Sequence, residues 1–301
     1  MINSMYFTPI HSITSNLMSL KKVLTLISLL LPITFIYGSQ VTGFPKQELV
    51  PGGIAIIEIP INTIKATYKN KPLFITKKNN KKYTIIGIPL NLESNIKQNK
   101  KLKQKITIHT KDGKSQIKNF FINLKKYPTS KITIKNQQMV KPNNNNLNTI
   151  INDQMLLKAS YKHYQKYPNN NLNNLILSQP TKGIASSSFG ARRIINNIKK
   201  NPHKGMDIAS PKGTPIYSSQ PGKVILAKNL YLPGNTVIID HGKGFKTLYA
   251  HLDKIFVKNN QFIKQNYKIG TVGNTGRVTG PHLHWSVILN GEAINPNLFL
   301  K

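Results

Sequence analysis

The sequence contains no cysteine among its 301 residues. Disulfide bonds, thiolate metal sites and cysteine nucleophiles are therefore excluded. Acidic residues are also scarce, since Asp and Glu together number 9 against 43 Lys and Arg, and the formal net charge is +34. Any metal ion must then be bound by histidine together with one of the few carboxylates.

Arginine is nearly absent as well, because only Arg192, Arg193 and Arg277 occur. The other basic residues are lysines spread singly through the predicted strands, and Asn and Ile are equally inflated, as in the product of an AT-rich coding sequence. A nucleic-acid-binding module usually relies on clustered arginine side chains. We therefore predict no nucleic-acid partner, despite the large positive charge.

A long apolar run occurs only near the N-terminus. Lys21 and Lys22 precede the run 23–37, which is shorter than the roughly 20 residues of a membrane-spanning helix. We predict that residues 1–39 are a signal peptide or an uncleaved N-terminal membrane anchor. The chain is then exported, and residues 23–37 are its candidate contact with a membrane.

The following region, residues 40–140, is predicted to be an accessory β domain. Its segments 52–60, 83–90 and 105–110 are rich in β-branched and apolar residues and are separated by turn residues. This pattern is typical of short antiparallel strands. We expect a small β-sandwich-like fold here.

Residues 141–180 are predicted to be a linker with a helix, and residues 181–301 a separate C-terminal domain. Apolar residues at helical spacing follow an asparagine tract, so we expect a helix that Asn146 caps and that ends before Pro168. From residue 181 onward, strand patterns recur between glycine turns. The overall fold class is therefore mainly β, with an antiparallel C-terminal domain.

Two short motifs place histidines where they can share a metal ion. In GPHLHWSV, His282 and His284 are two residues apart, and such residues project from the same face of a strand. In HKGMD, His203 and Asp207 are separated by three residues that include a glycine. His203, Asp207 and His284 would give zinc three ligands and leave a fourth position for water, which is the pattern of a catalytic site.

The proton-transfer group is also expected to be histidine. Zinc peptidases with an H-E-x-x-H motif use a glutamate base, but the one glutamate of the C-terminal domain, Glu292, lies outside the histidine motifs. His282 and His251, the latter in YAHL, are the remaining candidates, since imidazole titrates near neutrality. We expect His241 either to be structural or to support the site residues without binding metal, and Asp240 to be a turn or surface residue.

These motifs together resemble those of the lysostaphin-type, or LytM-like, zinc metallopeptidases, which cut peptidoglycan cross-bridges. The resemblance covers about residues 183–299 and includes SSFGARR, HKGMDIASPKGTPIYSSQPGKV, GNTVIIDHGKGFKTLYAHL, GTVGNTGRVTGPHLHWSV and INP. Residues 44–142 look like the accessory β domain that precedes the catalytic domain in some Gram-negative members. One departure is Asn196, where the resemblance would place glycine.

The resemblance implies a core of antiparallel sheets with one zinc ion in a narrow groove. It implies that His203, Asp207 and His284 bind zinc and that His282 and His251 are the catalytic partners. The implied reaction is hydrolysis of peptide cross-links in peptidoglycan, with D,D-bonds favoured. The implied location is the periplasm or the periplasmic face of the inner membrane.

Two other functions are open at this point. The first is a catalytically silent wall-binding or amidase-activating protein on the same fold, although such proteins typically lose metal ligands and none of the three is missing here. The second is a carrier module of the lipoyl or biotinyl type, whose sandwich displays a lysine at a hairpin tip. A carrier has no use for the histidine set.

Overall fold

The computed structural model describes residues 43–95, 101–165 and 174–301, which belong to one compact unit. The predicted signal or anchor segment, 1–39, lies outside the described residues. Within the described ranges, no helix has the length and apolar character needed to cross a membrane.

The N-terminal region folds into two antiparallel sheets, as predicted. Its described strands are β1 (Ile54–Ile59), β2 (Thr63–Tyr68), β3 (Lys71–Pro72), β4 (Phe74–Lys78), β5 (Lys81–Gly87), β6 (Leu102–Thr110) and β7 (Ser115–Ile122), with a 3₁₀-helix at Leu90–Asn95. One sheet has the order β1-β5-β4 and the other β3-β2-β6-β7. Ile106 and Ile108 are fully buried, because alternate residues of β6 face the space between the sheets.

After β7 the chain forms β8 (Thr129–Ile132), a 3₁₀-helix (Gln137–Met139) and α1 (Asn144–Lys162), of which α1 lies in the predicted linker. The expectation that Asn146 caps α1 is wrong. The cap is Asn143, whose side-chain oxygen accepts the backbone N–H of Asn146 at 2.9 Å, because a capping side chain reaches the N–H three residues onward. The helix ends before Pro168, as predicted.

The C-terminal region is mainly antiparallel β. Its described strands are β9 (Ile184–Ser187), β10 (Arg192–Ile195), β11 (Ile198–Lys199), β12 (Met206–Ala209), β13 (Pro215–Tyr217), β14 (Gly222–Leu230), β15 (Gly234–Gly242), β16 (Phe245–Ile255), β17 (Phe262–Ile263), β18 (Lys268–Val272), β19 (His282–Leu289) and β20 (Glu292–Ile294), followed by a 3₁₀-helix at Pro296–Leu298. The main sheet has the order β17-β14-β15-β16-β19-β12-β9. Tyr249 on β16 and Trp285 on β19 are fully buried, in a core that also contains Phe74 and Ile85 of the N-terminal region.

Asp240 is fully buried, so its expected place on a turn or at the surface is wrong. Its Oδ2 lies 2.8 Å from Nδ1 of His163, the C-cap of α1, and its Oδ1 accepts the backbone N–H of Gly242 at 2.9 Å. These partners offset the cost of burying a carboxylate. Lys246, also fully buried, donates to the carbonyl of His163 at 2.6 Å, so the end of α1 is held on the sheet by polar contacts.

The turn between β10 and β11 explains why the family resemblance calls for glycine at residue 196. Asn196 and Asn197 have φ of 47° and 64°, in the left-handed region that favours glycine and asparagine. The Asn196 side chain also accepts the backbone N–H of Ile134 and donates to its carbonyl, both at 2.9 Å. Asn196 therefore adopts the turn conformation and joins the segment after β8 to this hairpin, beside the parallel pairing of β8 with β10.

Replacing Asn196 separates these two roles. Asn196→Gly removes both hydrogen bonds but tolerates positive φ, so we expect the free energy of unfolding to fall by about 1–3 kcal/mol. Asn196→Ala also places a side chain in the left-handed region and should cost about 1 kcal/mol more. Urea denaturation of both variants and the wild type measures the difference. An alanine variant as stable as the wild type would contradict this account.

Candidate metal centre

The three predicted metal-binding residues come from two paired strands and the segment before one of them. Asp207 on β12 lies directly opposite His284 on β19 in the antiparallel ladder, and His203 precedes β12 by three residues. At Gly205 a Cβ atom would clash with the carbonyl oxygen of Trp285 and lie 2.8 Å from Cε1 of His284. Only glycine allows this close approach.

The ligand atoms of these residues form a compact triangle. His203 Nε2 lies 2.9 Å from His284 Nδ1 and 3.0 Å from Asp207 Oδ1, and His284 Nδ1 lies 2.8 Å from the same oxygen. Ligand atoms around tetrahedral zinc, with bonds of about 2.0–2.1 Å, are about 3.3 Å apart, so the set fits such an ion after a small outward shift. Within the described ranges, these three residues form the one group of at least three histidine or acidic side chains whose ligand atoms all lie within 4.8 Å of one another.

The outer nitrogen of each predicted histidine ligand has a partner that orients the ring. His203 donates Nδ1–H to the carbonyl oxygen of Ser188 at 2.9 Å, which turns Nε2 toward the triangle. His284 places Nε2 2.9 Å from the Ser286 hydroxyl and so presents Nδ1. Contacts of this kind fix ring orientation at metal sites.

Asp207 is held as a charged carboxylate. Burial raises its pKa, but hydrogen bonds from His203 and His284 and their charges outweigh burial and hold the pKa well below the usual range. Arg193 Nη2 donates to Oδ2 at 2.9 Å, which leaves Oδ1 for the histidines. Sequence reasoning did not identify Arg193, because no spacing rule relates a residue on β10 to an aspartate 14 positions later.

His251 and His282 flank this triangle, so the structure brings all five predicted site residues together. The ring centres of His251 and His282 are 4.9 Å apart, and those of His251 and His284 are 6.0 Å apart. His282 Nε2 lies 3.9 Å from Asp207 Oδ1, beyond hydrogen-bond distance but at the edge of the group.

Both flanking rings are oriented by backbone carbonyls. His251 donates Nδ1–H to Thr275 and His282 donates Nδ1–H to Gly280, each at 2.8 Å. In a neutral ring this leaves Nε2 as the acceptor. Burial, and then the neighbouring charges of His284 and His282, lowers the pKa of His251 to about 3. His251 is therefore a neutral imidazole near neutral pH.

His241 does not belong to the group and has the structural role expected of it. The ring is fully buried, with Nδ1–H donated to the carbonyl of Pro221 at 2.8 Å and Nε2 2.9 Å from the Thr247 hydroxyl. Burial lowers its pKa to about 4. His241 therefore stabilises the interior of the sheet as a neutral residue.

Two family models match the chain. Residues 201–296 match peptidase family M23, and residues 47–118 match the peptidase family M23 N-terminal domain. A crystal structure described as a peptidase M23 from Pseudomonas aeruginosa is 32% identical in sequence, with a TM-score of 0.66. That similarity covers 84% of this chain and 95% of the other.

Curated relatives are similar over the C-terminal region. Peptidoglycan DD-endopeptidase ShyA of Vibrio cholerae is 46% identical over 116 residues, which are 38% of this chain and 27% of the relative. Peptidoglycan DD-endopeptidase ShyB of the same organism is 46% identical over 94 residues, which are 31% and 22% of the two chains. The matched region thus spans about a quarter of the length of each relative.

The backbone conformation of His251 can be tested by measuring stability, without an activity assay. Its φ is 65°, although it is not glycine, and its N–H donates to the carbonyl of Pro233 at 2.9 Å. His251→Gly and His251→Ala both lose the imidazole. Only the alanine variant keeps a Cβ atom, which makes the left-handed backbone conformation energetically unfavourable. We expect the glycine variant to be more stable by about 1 kcal/mol in urea denaturation. A more stable alanine variant, the usual order at negative φ, would refute this.

Proposed function

The chain belongs to peptidase family M23, and we propose that it is a zinc-dependent endopeptidase that hydrolyses peptide cross-links of peptidoglycan. The observation that carries the proposal is the convergence of ligand atoms from His203, Asp207 and His284 to within 3.0 Å of one another. His251 and His282 beside them supply the proton acceptors that hydrolysis needs. The names of the two relatives support D,D-bonds as the target.

Zinc suits this donor set because it prefers four ligands drawn from histidine nitrogen, carboxylate oxygen and water. His203 would bind through Nε2, His284 through Nδ1 and Asp207 through Oδ1. When bound, zinc supplies Lewis-acid chemistry, in that it lowers the pKa of a water molecule to roughly 7 and polarises a carbonyl group. Arg193 keeps Oδ1 of Asp207 turned toward the histidines by holding Oδ2.

His251 and His282 move the proton. Nδ1–H of each ring is fixed on a backbone carbonyl, so Nε2 is the atom that can accept the proton of the attacking water. The protonated ring can then donate a hydrogen bond to the developing oxyanion and pass the proton to the departing amine as the C–N bond breaks. This route forms no covalent bond between substrate and protein.

The organisation of the chain follows the same proposal. Residues 40–140 form the accessory domain, 141–180 the linker and 181–301 the catalytic domain, and the match of 47–118 to the M23 N-terminal domain supports the first assignment. Because peptidoglycan lies outside the cytoplasm, residues 1–39 serve export, to the periplasm or the periplasmic face of the inner membrane. The complete ligand set argues against a catalytically silent wall-binding or activator protein.

Alanine variants distinguish metal ligands from catalytic residues. His284→Ala and Asp207→Ala should lose both zinc and hydrolysis, because each removes a ligand atom. His282→Ala should keep about one zinc per chain while hydrolysis falls by about 100-fold or more. Metal analysis after gel filtration and an endopeptidase assay on the same samples measure both properties. His109→Ala, on β6 outside the site, is the matched control. Zinc retained by His284→Ala would refute the ligand assignment, and a fully active His282→Ala variant would refute its catalytic role.

Digestion of purified sacculi tests the reaction. The full chain should convert cross-linked muropeptide dimers into monomers, a chelator should stop this conversion, and added zinc should restore it. Muropeptide separation by chromatography identifies the products, and Asp207→Ala serves as the inactive control. Unchanged dimers with the zinc-loaded chain, or products cut in the glycan strand, would contradict the proposal.

A further inference from the structure

The three arginines of the chain lie in one region, beside the metal-binding residues. Arg192 and Arg193 begin β10, and Arg277 lies in the loop between β18 and β19. Burial and the charge of Arg193 both lower the pKa of Arg277, and burial and the charge of Arg277 lower that of Lys200, so these cations are close together. All the other basic residues, out of 43, are lysines. In a chain whose basic residues are otherwise lysines, the three arginines thus lie together in one place.

The guanidinium of Arg277 is largely uncommitted within the described part of the chain. Its Nη1 approaches the carbonyl oxygen of Met139 at 3.5 Å, at the outer limit of a hydrogen bond, whereas a guanidinium has five N–H donors. Lys200 donates to the adjacent carbonyl of Val140 at 3.0 Å. Like charges held together in a half-buried region repel one another, and a bound anion would relieve that repulsion.

This region lies beside both the predicted metal ligand Asp207 and the predicted proton-transfer residue His251. Arg193 is bonded to the ligand Asp207. Arg277 follows Thr275, whose carbonyl orients His251, by two residues along the loop. A cavity of about 520 Å³ lies on the β10–β11 side, and its lining includes the four cationic residues Arg192, Arg193, Lys199 and Lys200. Arg193 lines this cavity and also donates to Asp207, so it connects the cavity to the metal-binding residues.

We infer that Arg277, together with Arg193 and Lys200, forms a binding site for a free carboxylate of the substrate's stem peptide, next to the scissile bond. This inference rests on the proposed function. In a D,D-cross-link, the carbon that bears the scissile nitrogen also carries a free carboxylate. A guanidinium matches a carboxylate with two parallel hydrogen bonds, which an ammonium group cannot do. The site thus accounts for arginine at this place in a lysine-rich chain.

The test uses two cross-linked muropeptide dimers that differ only beside the scissile nitrogen, where one has a carboxylate and the other a carboxamide. The wild type should cleave the carboxylate form with a kcat/KM about 10- to 100-fold higher. Arg277→Gln should lose this preference through a raised KM for the carboxylate form, with unchanged zinc content and an unchanged rate on the carboxamide form. Arg277→Lys should recover only part of the preference, because it lacks the bidentate geometry.

Lys228→Gln is the matched control, since it removes one charge from an exposed position on β14, which carries none of the site residues. It should keep the wild-type preference. Equal cleavage of the two dimers by the wild type, or an Arg277→Gln variant that slows both to the same extent, would overturn the carboxylate site while leaving the endopeptidase proposal intact.

A binding measurement separates this inference from the proposed function. Titration calorimetry compares binding of the product monomer, in its carboxylate and carboxamide forms, to zinc-stripped wild type and Arg277→Gln. Tighter binding of the carboxylate form, lost in the variant, supports the site even if no dimer is cleaved, and in that case only the proposed function fails. Equal binding of the two forms by the wild type would refute the carboxylate site whether or not dimers are cleaved.

Discussion

The antiparallel pairing of β12 with β19 is the interaction on which the rest of the site depends. It places Asp207 directly opposite His284, although 77 residues separate them. Opposed residues of an antiparallel pair share a face, so their side chains meet. A register shift of one residue would turn His282 and His284 into the core and Leu283 and Trp285 into the groove. Leu283 and Trp285 are both 0% exposed, and their burial opposes that shift.

A second constraint lies at the end of the β16–β19 ladder. The last pair joins Ala250 to His284, and the next residue, His251, adopts the left-handed conformation. Because a left-handed residue changes the direction in which the chain and its side chain continue, the imidazole of His251 reaches the ring of His282. The carbonyl of Thr275 then fixes the ring. Hydrogen bonds from both the backbone N–H and the ring of His251 hold this left-handed conformation in place.

The sequence predicts those parts of the site whose relations are local or follow from strand alternation. His282 and His284 share a face by period two, and a glycine between His203 and Asp207 allows a close approach. Other features depend on distant contacts that no spacing rule describes. The sequence predicts a turn or surface position for Asp240, because its partner, His163, lies 77 residues earlier in the linker and no local pattern relates the two. The partners of this buried carboxylate depend on how the linker packs against the sheet. A local sequence pattern does not reveal that packing.

Compositional bias explains why the informative basic residues are the arginines. Salt screens the charge of an exposed lysine beyond a Debye length of about 8–10 Å. The large number of lysines therefore does not indicate which of them makes a specific contact. A guanidinium binds through the fixed directions of its N–H donors as well as through its charge. Lysine therefore cannot replace arginine where two parallel hydrogen bonds are needed. Trp285 follows the same logic: it is the one tryptophan of the chain, and it is fully buried on the strand that carries two site histidines. In a chain with a strong compositional bias, residues that depart from the bias are therefore the first candidates for specific physical roles.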